Sequence, residues 1–438
     1  MKNESTESGR RDFLKKTAAV GTGLALMSTL APKKSMAKKV ELRFQNWFNE
    51  SDMSAWQVGL DMFYKDHSNI DLKLEFAGWG DTVSSVAAQV TAGTMPDIFM
   101  ASGEHIPPLA SAGLVMDLGP YIQKDSSVNV DDFSPGISKC FKIWDRWWGF
   151  PYDQSTWGIY YNKSLFDKAG VKYPSHEDGK QWSLEEFVDA AKALTIPGEQ
   201  WGVLTQGGDY LASCFIYSAG GRLYDDFGKN CLVGSPEAIE GASFMVDLVH
   251  KHKVAVPAAE LAGGSIDYFA AGIAAMEING QWALQSKNAR TDFDFDIGFH
   301  PLSKLKKTVT GGSGFCISST TKYPDECWEF LKSYTSSETL ADMIGRPGRG
   351  IPARKSAMHA YLEAGGKAKH PEVFIKQLAY SETDRITLAS FDFSNSWNRH
   401  YGAVYDTGEG SVAEALTTVQ KETNAMLAKR LRQAKIKI

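Results

Sequence analysis

Cysteine is scarce in this chain. Five residues (Cys140, Cys214, Cys231, Cys316 and Cys327) form an odd set with no C-x-x-C pair and no metal-ligand spacing. In an oxidising compartment Cys214–Cys231 is the first disulfide to test; the alternative is a set of buried free thiols. H-E-x-x-H, G-x-S-x-G and P-loop signatures are absent, and Gly311-Gly312-Ser313-Gly314 lacks the spacing of a dinucleotide loop. His250 and His252 flank Lys251 at an expected helix end, where residues two apart do not share a face for chelation. No cofactor and no metal are therefore expected. A carboxylate pair for glycoside hydrolysis is defined by its spatial separation, and nothing in the order of residues singles one out. No apolar run reaches the roughly 20 residues of a membrane span.

What the chain does have begins at its start. Arg10-Arg11-Asp12-Phe13-Leu14-Lys15 precedes an apolar stretch from Thr17 to Leu30, then Lys33, Lys34 and the small-residue pattern Ser35-Met36-Ala37. This is the layout of a signal peptide over residues 1–37, and its paired arginines resemble the twin-arginine export signal. No cysteine stands at the cleavage point, so no lipid anchor is expected. Setting aside the seven basic and three acidic residues of that leader leaves 40 basic and 49 acidic residues, a net charge of −9. Such a surface does not suit nucleic acid or an anionic membrane. The expectation is a soluble, periplasmic, monomeric protein. The remaining length exceeds what one core usually serves, so two lobes are expected. Twelve Trp, all after the leader, exceed ordinary core needs and suit a site that stacks flat apolar faces.

The hydrophobic pattern predicts α/β architecture. Val40–Phe44 and Ile70–Phe76 alternate as strands, while Trp56–Asp66 and Thr82–Ala92 carry helical spacing. Pro96–Met100 follows as a short strand, so strand, helix, strand, helix, strand implies a parallel sheet. Later strands are predicted at Gly158–Asn162, Gly202–Thr205, Ala274–Ile278 and Gly312–Ser318. Helices are predicted at Leu184–Leu194, Pro236–His252, Pro324–Tyr334 and Gly410–Ile436.

Four segments, in order, carry a family likeness. They are Thr91-Ala92-Gly93-Thr94-Met95-Pro96-Asp97-Ile98-Phe99 with Ala112–Leu118; Trp148-Gly149-Phe150-Pro151 through Gly158–Phe166; Phe269–Trp282 with Ala275-Met276-Glu277-Ile278-Asn279-Gly280-Gln281-Trp282; and Gly311–Ser318. The chain resembles the extracellular solute-binding proteins of carbohydrate-importing ABC transporters, the maltose-binding-protein-like family. That resemblance implies a two-lobe periplasmic binding protein fold closing on ligand about a hinge. It implies three crossings, near Phe150–Ser155, Phe299–Leu302 and Thr335–Glu338. One lobe would hold residues 40–152 with 301–336, the other residues 153–300 with 337–438. An inner-membrane ABC permease would be the partner.

A sugar offers hydroxyls and apolar C–H faces, so its site needs planar side chains and bidentate polar groups. By the resemblance, Trp282, Trp397 and Tyr210 are stacking candidates, with Asp209 and Gln281 beside them. Glu104 stands at a family carboxylate position, followed by His105. Ser155 replaces an acid of the relatives, and Asp153 is expected in that role. Position alone adds Trp47, Asn49, Trp79 and Ser313. Asp97 is expected to be structural. Among Arg346, Arg349 and Arg354 of a Gly/Pro-rich loop, Arg349 is the candidate for gripping an anionic group. The reading is a non-enzymatic carbohydrate receptor. Beside it stand a receptor for an anionic sugar derivative or another small polar solute and, from a different class, an exported carbohydrate-active enzyme using Glu104 or Asp153.

Overall fold

Alternation in the first strand places Leu42 and Phe44 inward, and both are fully buried. In a computed structural model, which describes residues 39–47, 53–78, 82–226, 228–261, 266–383 and 386–434, this strand (β1, Val40–Asn46) pairs in parallel with β2 (Ile70–Phe76) and β3 (Ile98–Ser102). The remaining strands of the two larger sheets are β4 (Phe150–Pro151), β5 (Trp157–Asn162), β6 (Trp201–Leu204), β7 (Ala274–Gly280), β8 (Phe295–Phe299) and β9 (Ser313–Ile317). The first sheet runs β2-β1-β3-β9-β4, with β9 antiparallel to both its neighbours. The second runs β8-β5-β7-β6 and is mixed. Each sheet carries its own aromatic-rich core, one around Phe44, Trp56, Phe315, Phe330 and Tyr334, the other around Trp157, Phe215, Phe393 and Trp397.

Local chemistry accounts for the element ends. Ser183 and Glu186 form a reciprocal capping box at the start of Leu184–Ala193. Ser235 caps Pro236–His250 with proline in the first turn, and Ser411 caps the long C-terminal helix Val412–Gln433. Asp97 is structural, as expected: its carboxylate accepts from the Arg43 amide at 2.9 Å and from the Thr321 hydroxyl at 2.6 Å. Helix Asp209–Ala219 and strand β8 are among the elements that had no expectation. Helix Asp209–Ala219 is buried from Leu211 onward, so it shows no amphipathic stripe. Strand β8 is buried at every position and is too short to show a period.

The chain passes from the first sheet to the second between β4 and β5 and returns between β8 and β9. Beyond β9, Leu340, Ala341, Met343, Ile344, Ala353, Ala357 and Ala360 bury in the first core, a π-helical turn at Ala341–Gly345 turning Met343 and Ile344 inward. Ile351 and Tyr361, in the same stretch, bury with Tyr160 and Phe295 of the second sheet.

All five cysteines are buried free thiols, so no Cys214–Cys231 bridge forms. Burial pushes the Cys231 thiol up to about 12. Among the described residues no helix is long and apolar enough to cross a membrane.

His300, at the return crossing, is fully buried with its ring 4.6 Å from that of Phe215, and burial lowers its imidazole to about 3. An unfolded-chain histidine titrates near about 6.5. Below that pH the unfolded chain takes up a proton that the folded chain refuses, until the pH reaches the folded value. Stability from the neutral ring is thus full above about pH 6.5 and declines by about 1.4 kcal/mol per pH unit below it. Urea unfolding at several pH values should give His300→Phe a shallower acid decline than the parent over this window. Parallel declines would show that His300 does not carry this proton linkage.

Candidate ligand-binding site

The two crossing segments lie side by side. Tyr152 N donates to Ser313 O at 2.8 Å, and Ser155 N donates to Gly311 O at 2.9 Å. The Asp153 carboxylate accepts from both the amide and the hydroxyl of Ser313, at 2.7 and 2.6 Å. Burial raises the Asp153 carboxyl above its ordinary range, against the opposing pull of Ser313 and the positive charge of Arg349. Asp153 and Ser313 therefore form a polar pair at the crossing, within reach of the charge of Arg349.

From this crossing an aromatic group projects within the second lobe. Tyr210 stands in the first turn of helix Asp209–Ala219, and its hydroxyl meets the Ser155 hydroxyl at 2.6 Å. Its ring stacks with Trp282 at 6.4 Å and 20°, and Trp157 meets both edge-on, at 5.4 and 5.0 Å. Trp157 is almost wholly buried, whereas Trp282 and Tyr210 are half-buried and retain accessible surface. The platform is thus a pair of near-parallel rings braced from below by a third. Trp282 folds back over the end of β7 so closely that a Cβ at Gly280 would lie 2.1 Å from the indole. Only glycine permits that approach.

Buried charge anchors the helix that comes after Trp282. Lys287 in that helix is 3% exposed and pairs with Glu277 of β7 at 2.5 Å and with Asp267 at 2.8 Å. Burial raises the Glu277 carboxyl, opposed by Lys287. Asp267 is held low: its burial is outweighed by hydrogen bonds from the Ala270 amide and Lys287. Gln281 is fully buried, its carbonyl accepting from Tyr361 at 3.1 Å, and neither polar atom of its side chain has a protein partner among the described residues.

Glu104 and His105 follow β3 in a single 3-10 turn and are buried. Their neighbours come from the other lobe. The Ser390 hydroxyl donates to Glu104 O at 2.6 Å, and His105 stacks on Phe391 at 5.1 Å and 29°. Trp47 approaches His105 edge-on at 6.5 Å. Asp209 accepts from the Ser394 hydroxyl at 2.7 Å, next to Tyr210. Trp157 and Phe391 carried no expectation. Trp157 has a signal, since it directly precedes the Gly158–Asn162 run; Phe391 has none.

Other expected residues are placed elsewhere. Trp397 is fully buried between Phe393 at 5.7 Å and Tyr401 at 4.3 Å, its indole N–H donating to Gly207 O. It is a core residue of the second lobe, and its faces are taken by its own helix neighbours. Arg346 is exposed and pairs with Asp342 and Glu363. Arg354 is buried, bonded to Thr335 O and Asn129 O with its guanidinium over the Phe133 ring. Asn49 and Trp79 lie outside the described residues.

With this geometry established, likenesses to known proteins can be placed. The family described as bacterial extracellular solute-binding protein matches residues 47–341. A maltotriose-binding protein of Pyrococcus abyssi is 23% identical over 297 residues, which cover 66% of this chain and 61% of that protein. The chain thus spans less than two thirds of that relative. Among solved structures, an ABC substrate-binding protein of Listeria monocytogenes in complex with cycloalternan superposes with a TM-score of 0.82 at 23% identity, covering 89% of this chain and 99% of that one. A Mycobacterium tuberculosis protein in complex with glycerophosphocholine gives 0.76 at 19% identity, covering 88% and 98%. At these identities the structures speak for the two-lobe α/β fold alone. The family match covers well over half of the chain, from Trp47 to Ala341, and the chain belongs to the bacterial extracellular solute-binding proteins.

Proposed function

We propose that the protein is a periplasmic receptor that captures a carbohydrate between its lobes and delivers it, unchanged, to an inner-membrane ABC permease. The observation that carries this reading is the Tyr210–Trp282 pair, two near-parallel half-buried rings beside the crossing. Such a platform fits the C–H face of a pyranose, while Asp153, Asp209, Glu104 and Gln281 supply hydroxyl partners around it. Charge-assisted bonds from a carboxylate to sugar hydroxyls are the stronger kind. The Pyrococcus and Listeria relatives, which bind maltotriose and cycloalternan, support a carbohydrate ligand.

An anionic solute is the second reading, and it rests on Arg349. The positive charge of that arginine acts on the Asp153 carboxyl, so it faces an acid of the chain itself as well as any solute. The catalytic alternative would use Glu104 or Asp153. Asp153 is engaged by Ser313 through a single oxygen, an arrangement suited to holding a crossing together as well as to accepting from a hydroxyl.

In mechanism, ligand touching both lobes favours the closed arrangement, and the permease reads that population. The leader, with its paired arginines and no cysteine at the cleavage point, supports export through the twin-arginine route and an unanchored product.

Thermal shift against neutral sugars, acidic sugars, sugar phosphates and polyamines tests the ligand class. Saturation at 100 times the dissociation constant adds about 2.7 kcal/mol, a rise of several degrees. A response confined to anionic ligands would overturn the neutral-sugar reading, and a ligand converted to product during incubation would make the protein an enzyme.

For the platform, Trp282→Ala should weaken the best sugar at least about tenfold, or about 1.4 kcal/mol, by titration calorimetry. Gly280→Ala, which displaces the indole without deleting it, should weaken it in the same direction. Undiminished binding in both variants places the stacking surface elsewhere.

A further inference from the structure

Well away from the platform, at the opposite end of β5, three metal-ligating side chains converge. Asp296 of β8 pairs in register with Tyr161, four residues along the strand from Trp157 and thus about 13 Å from the aromatic group. One ligand atom from each of His176, Asp296 and His370 lies within 4.8 Å of the others. Asp296 is 3% exposed and rigidly held. Its Oδ1 accepts from the amides of Ile297, Lys369 and His370 at 2.9, 2.9 and 3.0 Å, and its Oδ2 meets His370 Nδ1 at 2.8 Å. The His176 ring lies parallel to that of His370, centroids 3.7 Å apart and planes 8° from parallel, with its Nε2 3.0 Å from the Tyr161 hydroxyl.

We propose that His176, Asp296 and His370 form a binding site for a divalent transition-metal ion of the zinc class. Two imidazoles and one carboxylate are the donor set such ions prefer, whereas calcium and magnesium favour oxygen alone. Parallel imidazoles this close cannot both be cations without strong repulsion. The carboxylate is pre-positioned by its three amides, so little ordering is left to binding. His370 is partly exposed, which gives the ion a path in.

On binding, the ion takes the place of the proton between His370 Nδ1 and Asp296, and that proton moves to His370 Nε2. The parallel rings do not yet direct both lone pairs at one centre. His176, on the connection between Ala169 and Leu184, must turn, and in turning it gives up its bond to Tyr161. A bound ion would tie three segments distant in sequence at the outer edge of the second sheet.

Zinc chloride titrated calorimetrically into the chelator-treated protein tests this. One ion should bind per chain with micromolar affinity, accompanied by a change in tyrosine ultraviolet absorbance as Tyr161 loses its partner. His176→Ala, a half-exposed loop change that should leave the fold intact, and His370→Ala should each weaken binding about 100-fold. The melting temperature of each variant without zinc verifies folding, and calcium chloride should produce no heat. Absence of zinc binding in the folded parent protein, or a His176→Ala variant that binds as the parent does, overturns the proposal. Equal binding of calcium overturns the metal class.

Discussion

The hydrogen bonds between the Asp153 carboxylate and Ser313 hold together the place on which the rest of the molecule depends. One residue belongs to the outgoing crossing and the other to the returning one. Two covalent connections between lobes set a common axis only if they are kept in register, and the flanking Tyr152–Ser313 and Ser155–Gly311 backbone bonds complete that register. The Tyr210 hydroxyl joins the same assembly through Ser155. The Tyr210–Trp282 ring pair is therefore bonded directly to the crossing. In the proposed receptor, ligand contact and lobe movement would share residues.

The proposed platform illustrates how an aromatic surface is kept open and still. Trp282 is held from behind by Gly280, from the side by Tyr210 and from below by Trp157. The helix after it is pinned by Lys287 between Glu277 and Asp267. An ion pair this buried contributes little net stability, because desolvation offsets attraction, but removing one partner strands a charge. Its effect is positional: it fixes one orientation of the segment bearing the indole.

Much of this was legible in the sequence. The alternation of Val40–Phe44 and Ile70–Phe76 and the helical spacing before Gly93 are solvent-facing patterns, and they locate the parallel part of the first sheet. Helix Asp209–Ala219 was hidden because a helix buried on all sides has no polar face to give it a period. Trp397 was placed at a stacking position by resemblance alone; the i, i+4 series Phe393, Trp397, Tyr401 and Tyr405 marks it as a core stripe. Residues 340–361 divide their apolar side chains between the two cores, so no run of one character marks a lobe boundary there. His176, Asp296 and His370 show no motif because the sheet brings them together from widely separated segments, His370 lying 74 residues beyond Asp296.

The five buried thiols bear on where the chain can acquire this structure. A fold secured by disulfides is complete only after it meets an oxidant, which puts its maturation on the far side of the membrane. Here the cysteines serve as small apolar side chains within the cores. Nothing in the described residues waits on redox chemistry. The cores of the described residues can therefore close without an oxidant.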